Sequence, residues 1–305
     1  MSNFKILSID GGGSKGVYSL GVLKQVEALM GEPLCNKFQL IYGTSTGSII
    51  AALLALGKTV DEIQKLYTQY IPYIMGRIPD IPFITKQIAM RRRSSRLNKV
   101  VNQIFGSLDF SAFKTDIGIV ATHVDYAKPM IFKSSLKQAH GRENTFKPGF
   151  GVTIAQAVRA SCAAFPYFKK VKIKTENQGT PELLDGGFVA NNPTLFAISD
   201  AIKAYEIKED DIRVLSVGVG TYSEPSRNFI HNLILNQWPY WLTRKTIDCN
   251  TNTVDIIRKI LLKDVKCVRI DETFAQRDYE TDLLETDINK LDKLFQLGRE
   301  SYAKE

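Results

Sequence analysis

Phe38-Gln39-Leu40-Ile41-Tyr42-Gly43-Thr44-Ser45-Thr46-Gly47-Ser48-Ile49-Ile50-Ala51-Ala52-Leu53-Leu54 is the stretch on which the fold turns. An apolar run, 38–42, enters Gly43-Thr44-Ser45-Thr46-Gly47, and a longer apolar segment from Ser48 to Leu56 leaves it. Strand, Gly-x-Ser-x-Gly turn and helix together hold a serine hydroxyl out at the end of a strand. Gly43 and Gly47 remove Cβ atoms where the backbone turns sharply. The N-terminus of the next helix favours negative charge developing beside that hydroxyl. Ser45 is therefore the candidate nucleophile.

The same alternation continues outward. Phe4 to Ile9 reads as a buried strand, and Val17, Leu20, Leu23, Val26 and Leu29 recur at helical spacing. Helices are expected over 46–56, 61–70 and 154–160, and strands over 117–121 and 212–219. Leu183-Leu184 leads into Asp185-Gly186-Gly187, and Asn191-Asn192-Pro193 starts a helix to about Tyr205. Strands alternating with helices predict an α/β fold with a mostly parallel sheet covered on both faces. No linker divides the chain, so 1–305 is expected to be one domain with a motif-bearing core at 4–220. Residues 71–110 and 220–260 lack the rhythm and read as insertions, with 221–305 a helical extension.

Bulk properties narrow the class. A net charge of +8 suits an anionic membrane, nucleic acid or solubility alone. The four cysteines (Cys35, Cys162, Cys249, Cys267) are scattered, which argues against a disulfide scaffold or zinc site and for reduced thiols in a cytosol. The opening apolar run is too short for a signal peptide, and no apolar run approaches the roughly 20 residues of a membrane span. The expectation is a cytoplasmic protein acting peripherally at the inner face of the membrane.

The glycine run Gly11 to Gly16 stands between a strand and a helix. A dinucleotide site would need an acidic residue ending the second strand, and Tyr42-Gly43 stands there. A P-loop lacks its closing Gly-Lys-Ser/Thr, and a sugar-kinase hairpin would continue as a strand. An oxyanion hole serving Ser45 uses both motifs at once, against the alternative of a glycine turn with no ligand. For a base, the chain has only His123, His140 and His231. His231 would complete the order Ser45, Asp185, His231, but it lies in an apolar stretch. Asp185, at a strand end before two glycines, suits a base acting directly on the serine, and an ordinary turn is the alternative.

Asp10-Gly11-Gly12-Gly13-Ser14-Lys15-Gly16, Gly43-Thr44-Ser45-Thr46-Gly47 and Asp185-Gly186-Gly187 occur in an order that resembles the patatin-like phospholipases. Arg159-Ala160-Ser161-Cys162-Ala163-Ala164-Phe165-Pro166 and Phe188-Val189-Ala190-Asn191-Asn192-Pro193 resemble two further segments of that family. The resemblance implies a three-layer fold and a Ser45–Asp185 dyad that hydrolyses acyl esters of membrane phospholipids. It implies oxyanion donors from Gly11, Gly12 and Gly13, with Gly16, Gly43, Gly47, Gly186 and Gly187 as motif positions. Lys15 occupies a position that is often Arg or Lys in the family and is, with Arg91, Arg92, Arg93 and Arg96, a candidate contact for an anion, an activator or lipid. The dyad requires no metal, and no calcium-loop pattern is present. Compact bacterial members of the family serve in antiphage defence, switched on by cyclic oligonucleotides. The resemblance therefore extends to a cyclic oligonucleotide activator and to self-association on activation. A constitutive lysophospholipase and a non-catalytic lipid-binding protein stay open beside that reading.

Residues 86–99 carry Lys86, Arg91, Arg92, Arg93, Arg96 and Lys99 and no acidic residue. A solvated helix face, an anionic-lipid contact and a phosphate contact to an activator stay open. A nucleic-acid polymer is not expected, because no recognition motif accompanies the charge. Trp238-Pro239-Tyr240-Trp241-Leu242 reads as an interfacial anchor, a pocket lid or ordinary core.

Overall fold

Side chains of successive strand residues point to opposite faces, and here both faces are apolar. Leu7 and Ile9 of β1 (Phe4–Ile9) pack into one buried cluster and Ile6 into another. In β2 (Leu40–Thr44), Ile41 joins the first, and Leu40 and Tyr42 the second. A sheet buried on both faces needs helices on both, which gives three layers. The computed structural model describes residues 3–76, 84–222 and 238–304, without the side chains of 84–86, 238–240 and 277.

The remaining strands are β3 (Asp116–His123), β4 (Lys128–Lys133), β5 (Val171–Lys172), β6 (Glu182–Asp185), β7 (Ile212–Val217), β8 (Thr221–Tyr222), β9 (Lys266–Ile270) and β10 (Thr273–Phe274). The hydrogen-bonded order is β5-β6-β3-β2-β1-β7-β9, with β4 also on β3, while β8 and β10 form a separate pair. From β3 through β2, β1 and β7 to β9 the pairing is parallel; β4, β5 and β6 add antiparallel pairs at the other end.

One feature of the pairing places the site. β4 runs along one edge of β3, facing 118–123. Both β2 and β6 must then use the other edge. β2 occupies it as far as Thr44, opposite Val120, and β6 arrives from the opposite direction to end at Asp185, opposite Ala121. The C-terminal ends of two strands thus meet head to head across adjacent residues of β3.

The helices are α1 (Gly16–Met30), α2 (Thr46–Ala55), α3 (Val60–Met75), α4 (Ile84–Phe105), α5 (Ile154–Ser161), α6 (Gly187–Ala190), α7 (Thr194–Lys203), α8 (Trp238–Leu261) and α9 (Ile288–Lys304). α1 ends where Gly31 adopts φ 70 and donates to the Glu27 carbonyl at 2.9 Å, a left-handed cap. α3 opens on a reciprocal Thr59/Glu62 capping box. It runs past Tyr70 and through Pro72 because Ile71, Ile74 and Met75 are buried. The arrhythmic stretch 71–110 contains α4, whose apolar positions Leu97, Val100, Val101 and Phe105 are buried behind an exposed basic face.

The C-terminal residues are more than a helical extension. β9 pairs with β7, and α9 packs on α1. That packing is close enough to need glycine on both helices. A Cβ at Gly21 would stand 2.1 Å from the Phe295 carbonyl oxygen, and one at Gly298 would stand 2.1 Å from that of Tyr18. Gly298→Ala should lower stability by about 2 kcal/mol in urea unfolding: overpacking costs up to about 3, offset by about 1 of helix propensity. Unchanged stability would mean the helices do not approach so closely.

Candidate active site

Ser45 sits between β2 and α2 with φ 53 and ψ −125, a conformation that a side-chain-bearing residue holds only when its surroundings impose it. The strain rests on the serine. Gly43 and Gly47 serve close packing instead. A Cβ on Gly43 would lie 2.3 Å from the Gly47 carbonyl oxygen, and one on Gly47 would lie 2.4 Å from that of Ile9. They let α2 start directly against the ends of β1 and β2. The Ser45 N–H donates to Ser161 Oγ at 2.8 Å, and Ser161 donates in turn to the Val120 carbonyl at 2.5 Å. Ser161 ties the turn to β3, a role with no local signal in Arg159 to Pro166 because both of its partners lie in distant parts of the chain.

Asp185 meets that serine. Ser45 Oγ donates to Asp185 Oδ2 at 2.6 Å, and the Gly187 N–H donates to Oδ1 at 2.7 Å. Asp185 is 2% exposed. Burial pushes its carboxyl up to about 7, against the opposing pull of the hydrogen bonds from Ser45 and Gly187. Gly186 turns tightly under β3, where a Cβ would lie 2.2 Å from the Val120 carbonyl oxygen. His123 stacks on Tyr126 at 4.6 Å, and His140 bonds Asp200 at 2.7 Å. His231 lies outside the described residues. Among the described residues no histidine lines the Ser45 pocket.

The glycine loop corrects one expectation. The Gly11 N–H donates to the Asn191 carbonyl at 3.1 Å, so Gly11 is not an oxyanion donor. The reason is tertiary: Asn191, just after α6, folds back onto the loop and also donates from Nδ2 to the Gly11 carbonyl at 3.2 Å. Gly12 and Gly13 line the pocket with Ser45, and among the described residues no acceptor takes their N–H groups. The Gly13 carbonyl accepts from Tyr67 Oη at 2.9 Å, and Ser14 N–H donates to the Leu283 carbonyl at 3.0 Å. Gly16 begins α1 beneath Tyr67, whose hydroxyl would lie 2.4 Å from a Cβ there.

Lys15 departs from expectation as well. It was expected to reach an anion, an activator or lipid, yet it is 7% exposed and donates to the Gly220 carbonyl at 3.4 Å. Burial, then the charge of Arg244, lowers its pKa. Arg91 and Arg92 are exposed on α4, whereas Arg93 and Arg96 are half-buried. Arg96 lies 5.3 Å over the Tyr73 ring and donates to the Tyr73 carbonyl at 3.0 Å. The side chain of Lys86 lies outside the described residues, as do those of Trp238, Pro239 and Tyr240; Leu242 is exposed.

Above the Ser45–Asp185 pair lies an apolar pocket. Ile71, Ile74, Leu97, Phe168, Ile247 and Leu284 line it. Cys162 lines it beside Ser45, its thiol held well above the ordinary value by burial and then by the Asp185 charge. An activated hydroxyl, two free N–H donors and an apolar chamber form a layout for attack on the carbonyl of an acyl ester with a hydrocarbon tail.

The description "Patatin-like phospholipase" belongs to the family model that matches residues 7–198. A cUMP-AMP-activated phospholipase of Escherichia coli is 46% identical over 299 residues, covering 98% of this chain and 90% of that protein. A cGAMP-activated phospholipase of Vibrio cholerae is 27% identical over 234 residues, 70% of this chain and 63% of that protein. Patatin-like protein 2 of Arabidopsis thaliana is 28% identical over 251 residues, 71% of this chain and 60% of that protein. On a match that spans well over half its length, this chain belongs to the patatin-like phospholipase family.

Proposed function

We propose that this protein is a Ser–Asp phospholipase that cleaves acyl esters of membrane phospholipids and is switched on by a cyclic dinucleotide. The observation that carries the chemistry is the 2.6 Å hydrogen bond from Ser45 Oγ to Asp185 Oδ2 at the foot of an apolar pocket. Asp185 takes the Ser45 proton as the oxygen attacks the ester carbonyl. The N–H groups of Gly12 and Gly13 receive the oxyanion; one such donor contributes about 3 kcal/mol to the barrier. Collapse breaks the bond to the lysolipid alkoxide, which leaves with the proton from Asp185. Asp185 then deprotonates a water that attacks the acyl-serine, releasing fatty acid and free Ser45.

The bilayer meets the pocket rim. Tyr73 and Phe165, next in sequence to the pocket residues Ile74 and Ala164, are 44% and 45% exposed. Arg91, Arg92, Lys169 and Lys170 are exposed as well, and the Lys169 N–H ties its segment to Ser94 of α4 at 2.8 Å. Such a basic and aromatic rim suits the anionic inner face of a cell membrane. The nucleotide reading rests on the 46% identity to a cUMP-AMP-activated phospholipase along nearly the whole chain. A lipase held idle until a signal arrives, then turned on the cell's own membrane, fits a bacterial antiphage effector.

The test is fatty-acid release from bacterial phospholipid vesicles by wild type and Ser45→Ala, each alone and with cUMP-AMP, cGAMP and other cyclic nucleotides. Release by wild type only with one nucleotide is the expected result. Release without any nucleotide, lost in Ser45→Ala, would make the protein a constitutive lipase. No Ser45-dependent release under any condition would overturn the phospholipid reading.

A further inference from the structure

The family match ends at residue 198, yet one residue far beyond it reaches the catalytic loop. Register sets Arg269 of β9 opposite Ser216 of β7, and Ser216 opposite Ser8 of β1. The guanidinium extends across those strands. Nη1 donates to Ser216 Oγ at 2.8 Å, and Nη2 donates to Asp10 Oδ2 at 2.7 Å and to Asp271 Oδ2 at 2.6 Å. Asp10 is 1% exposed, follows β1 directly and precedes Gly11, Gly12 and Gly13. Asp271 in turn accepts from the Gly220 N–H at 3.1 Å.

We propose that Arg269 is a positioning residue for hydrolysis, holding the Asp10 carboxylate so that the Gly12 and Gly13 N–H groups stay aimed at the oxyanion. This rests on the dyad reading above. A loop with two N–H groups left unpaired is held only by what fixes its flanks. Gly11 is fixed by Asn191, and Ser14 by Leu283. Asp10 is fixed by its own N–H on the Val217 carbonyl and by Arg269. Stability alone gives little reason for the ion pair, since apolar residues often replace a buried pair at no loss. Such residues would not fix the direction of the peptide that follows. Lysine would serve poorly, because a single ammonium cannot span Asp10, Asp271 and Ser216 in one plane.

The experiment compares wild type, Arg269→Lys, Arg269→Gln, Arg269→Gly and the double variant Asp10→Asn/Arg269→Gln, the last of which leaves no lone charge on Asp10 or at position 269. Turnover of a soluble p-nitrophenyl ester, measured without nucleotide and with each cyclic nucleotide of the vesicle assay, needs the oxyanion donors but no bilayer. Hydrogen exchange of a peptide covering 10–15 reads the loop itself, whatever the protein hydrolyses. The expected result is kcat lower by about 10- to 100-fold in Arg269→Gln and the double variant, with KM within about twofold, as for a small misplacement of catalytic groups. The loop peptide should exchange faster while the β1–β2 strands stay protected. Arg269→Lys should recover part of kcat. Because a polar cavity lined by Asp271, Glu272, Ser301 and Lys304 adjoins Arg269, added guanidinium ion below denaturing concentrations should partly rescue Arg269→Gly. A double variant that keeps wild-type loop exchange would overturn the proposal, as would one with wild-type kcat that is merely less stable. If wild type shows no Ser45-dependent turnover with any of the nucleotides or without them, the dyad reading has failed and the exchange result alone decides whether Arg269 holds the loop.

Discussion

Asp185→Asn is expected to lower kcat by about four orders of magnitude, the scale seen when a dyad or triad carboxylate becomes an amide, and to make the protein more stable at pH 8. An amide keeps the shape but cannot take the Ser45 proton. In wild type, burial raises the Asp185 carboxyl from 3.8 to about 7. Catalysis needs it ionised, so kcat should fall about tenfold per pH unit below 7 and level off above. The stability sign follows from the same shift. A raised acid pKa means the folded state holds the proton more tightly than the unfolded chain does. Its cost is absent below pH 4, grows between 4 and 7, and reaches about 4 kcal/mol above 7. Asparagine removes that cost but can accept only one of the bonds from Ser45 and Gly187, which returns about 2 kcal/mol. Urea unfolding should therefore show Asp185→Asn ahead by about 2 kcal/mol at pH 8 and behind by about 2 at pH 4, with the order reversing near pH 5. A kcat flat from pH 5 to 8, with no stability gain, would remove Asp185 as the base.

Gly13→Ala should lower kcat by about 10²- to 10³-fold with KM nearly unchanged, the effect of losing one oxyanion donor. Gly13 has φ 59, and a Cβ there would stand 2.3 Å from the Leu283 carbonyl oxygen. That oxygen also receives the Ser14 N–H and hydroxyl. The added methyl must push the loop away from its anchor and swing the Gly12 and Gly13 N–H groups off the reacting carbonyl. Single-turnover release of p-nitrophenol separates acylation from binding; unchanged acylation would place the oxyanion elsewhere.

Much of this protein is written in local pattern. Residues 4–9, 16–30, 46–55 and 212–217 form the elements that their apolar spacing predicts, because strands buried on both faces and helices against them leave strong local signals. The α4 helix was hidden by its arginines, and α8 and β9 by half-exposed, mixed-charge sequence. The boundaries missed at α3 and β2 lie where a pocket wall or a turn, not propensity, sets the end.

The sequence by itself determined the α/β class, the serine at a strand end and the candidate carboxylate, since each depends on residues adjacent in the chain. Only the tertiary structure decided which groups meet. Ser45 and Asp185 come together because β2 and β6 share one edge of β3 from opposite directions, 140 residues apart in sequence. Gly11 lost its donor role to Asn191, and Arg269 reached Asp10 across β7, contacts made over 180 and 259 residues of chain. Strand pairing and close packing act between segments whose separation no local periodicity encodes, so the final aim of the site belongs to the fold.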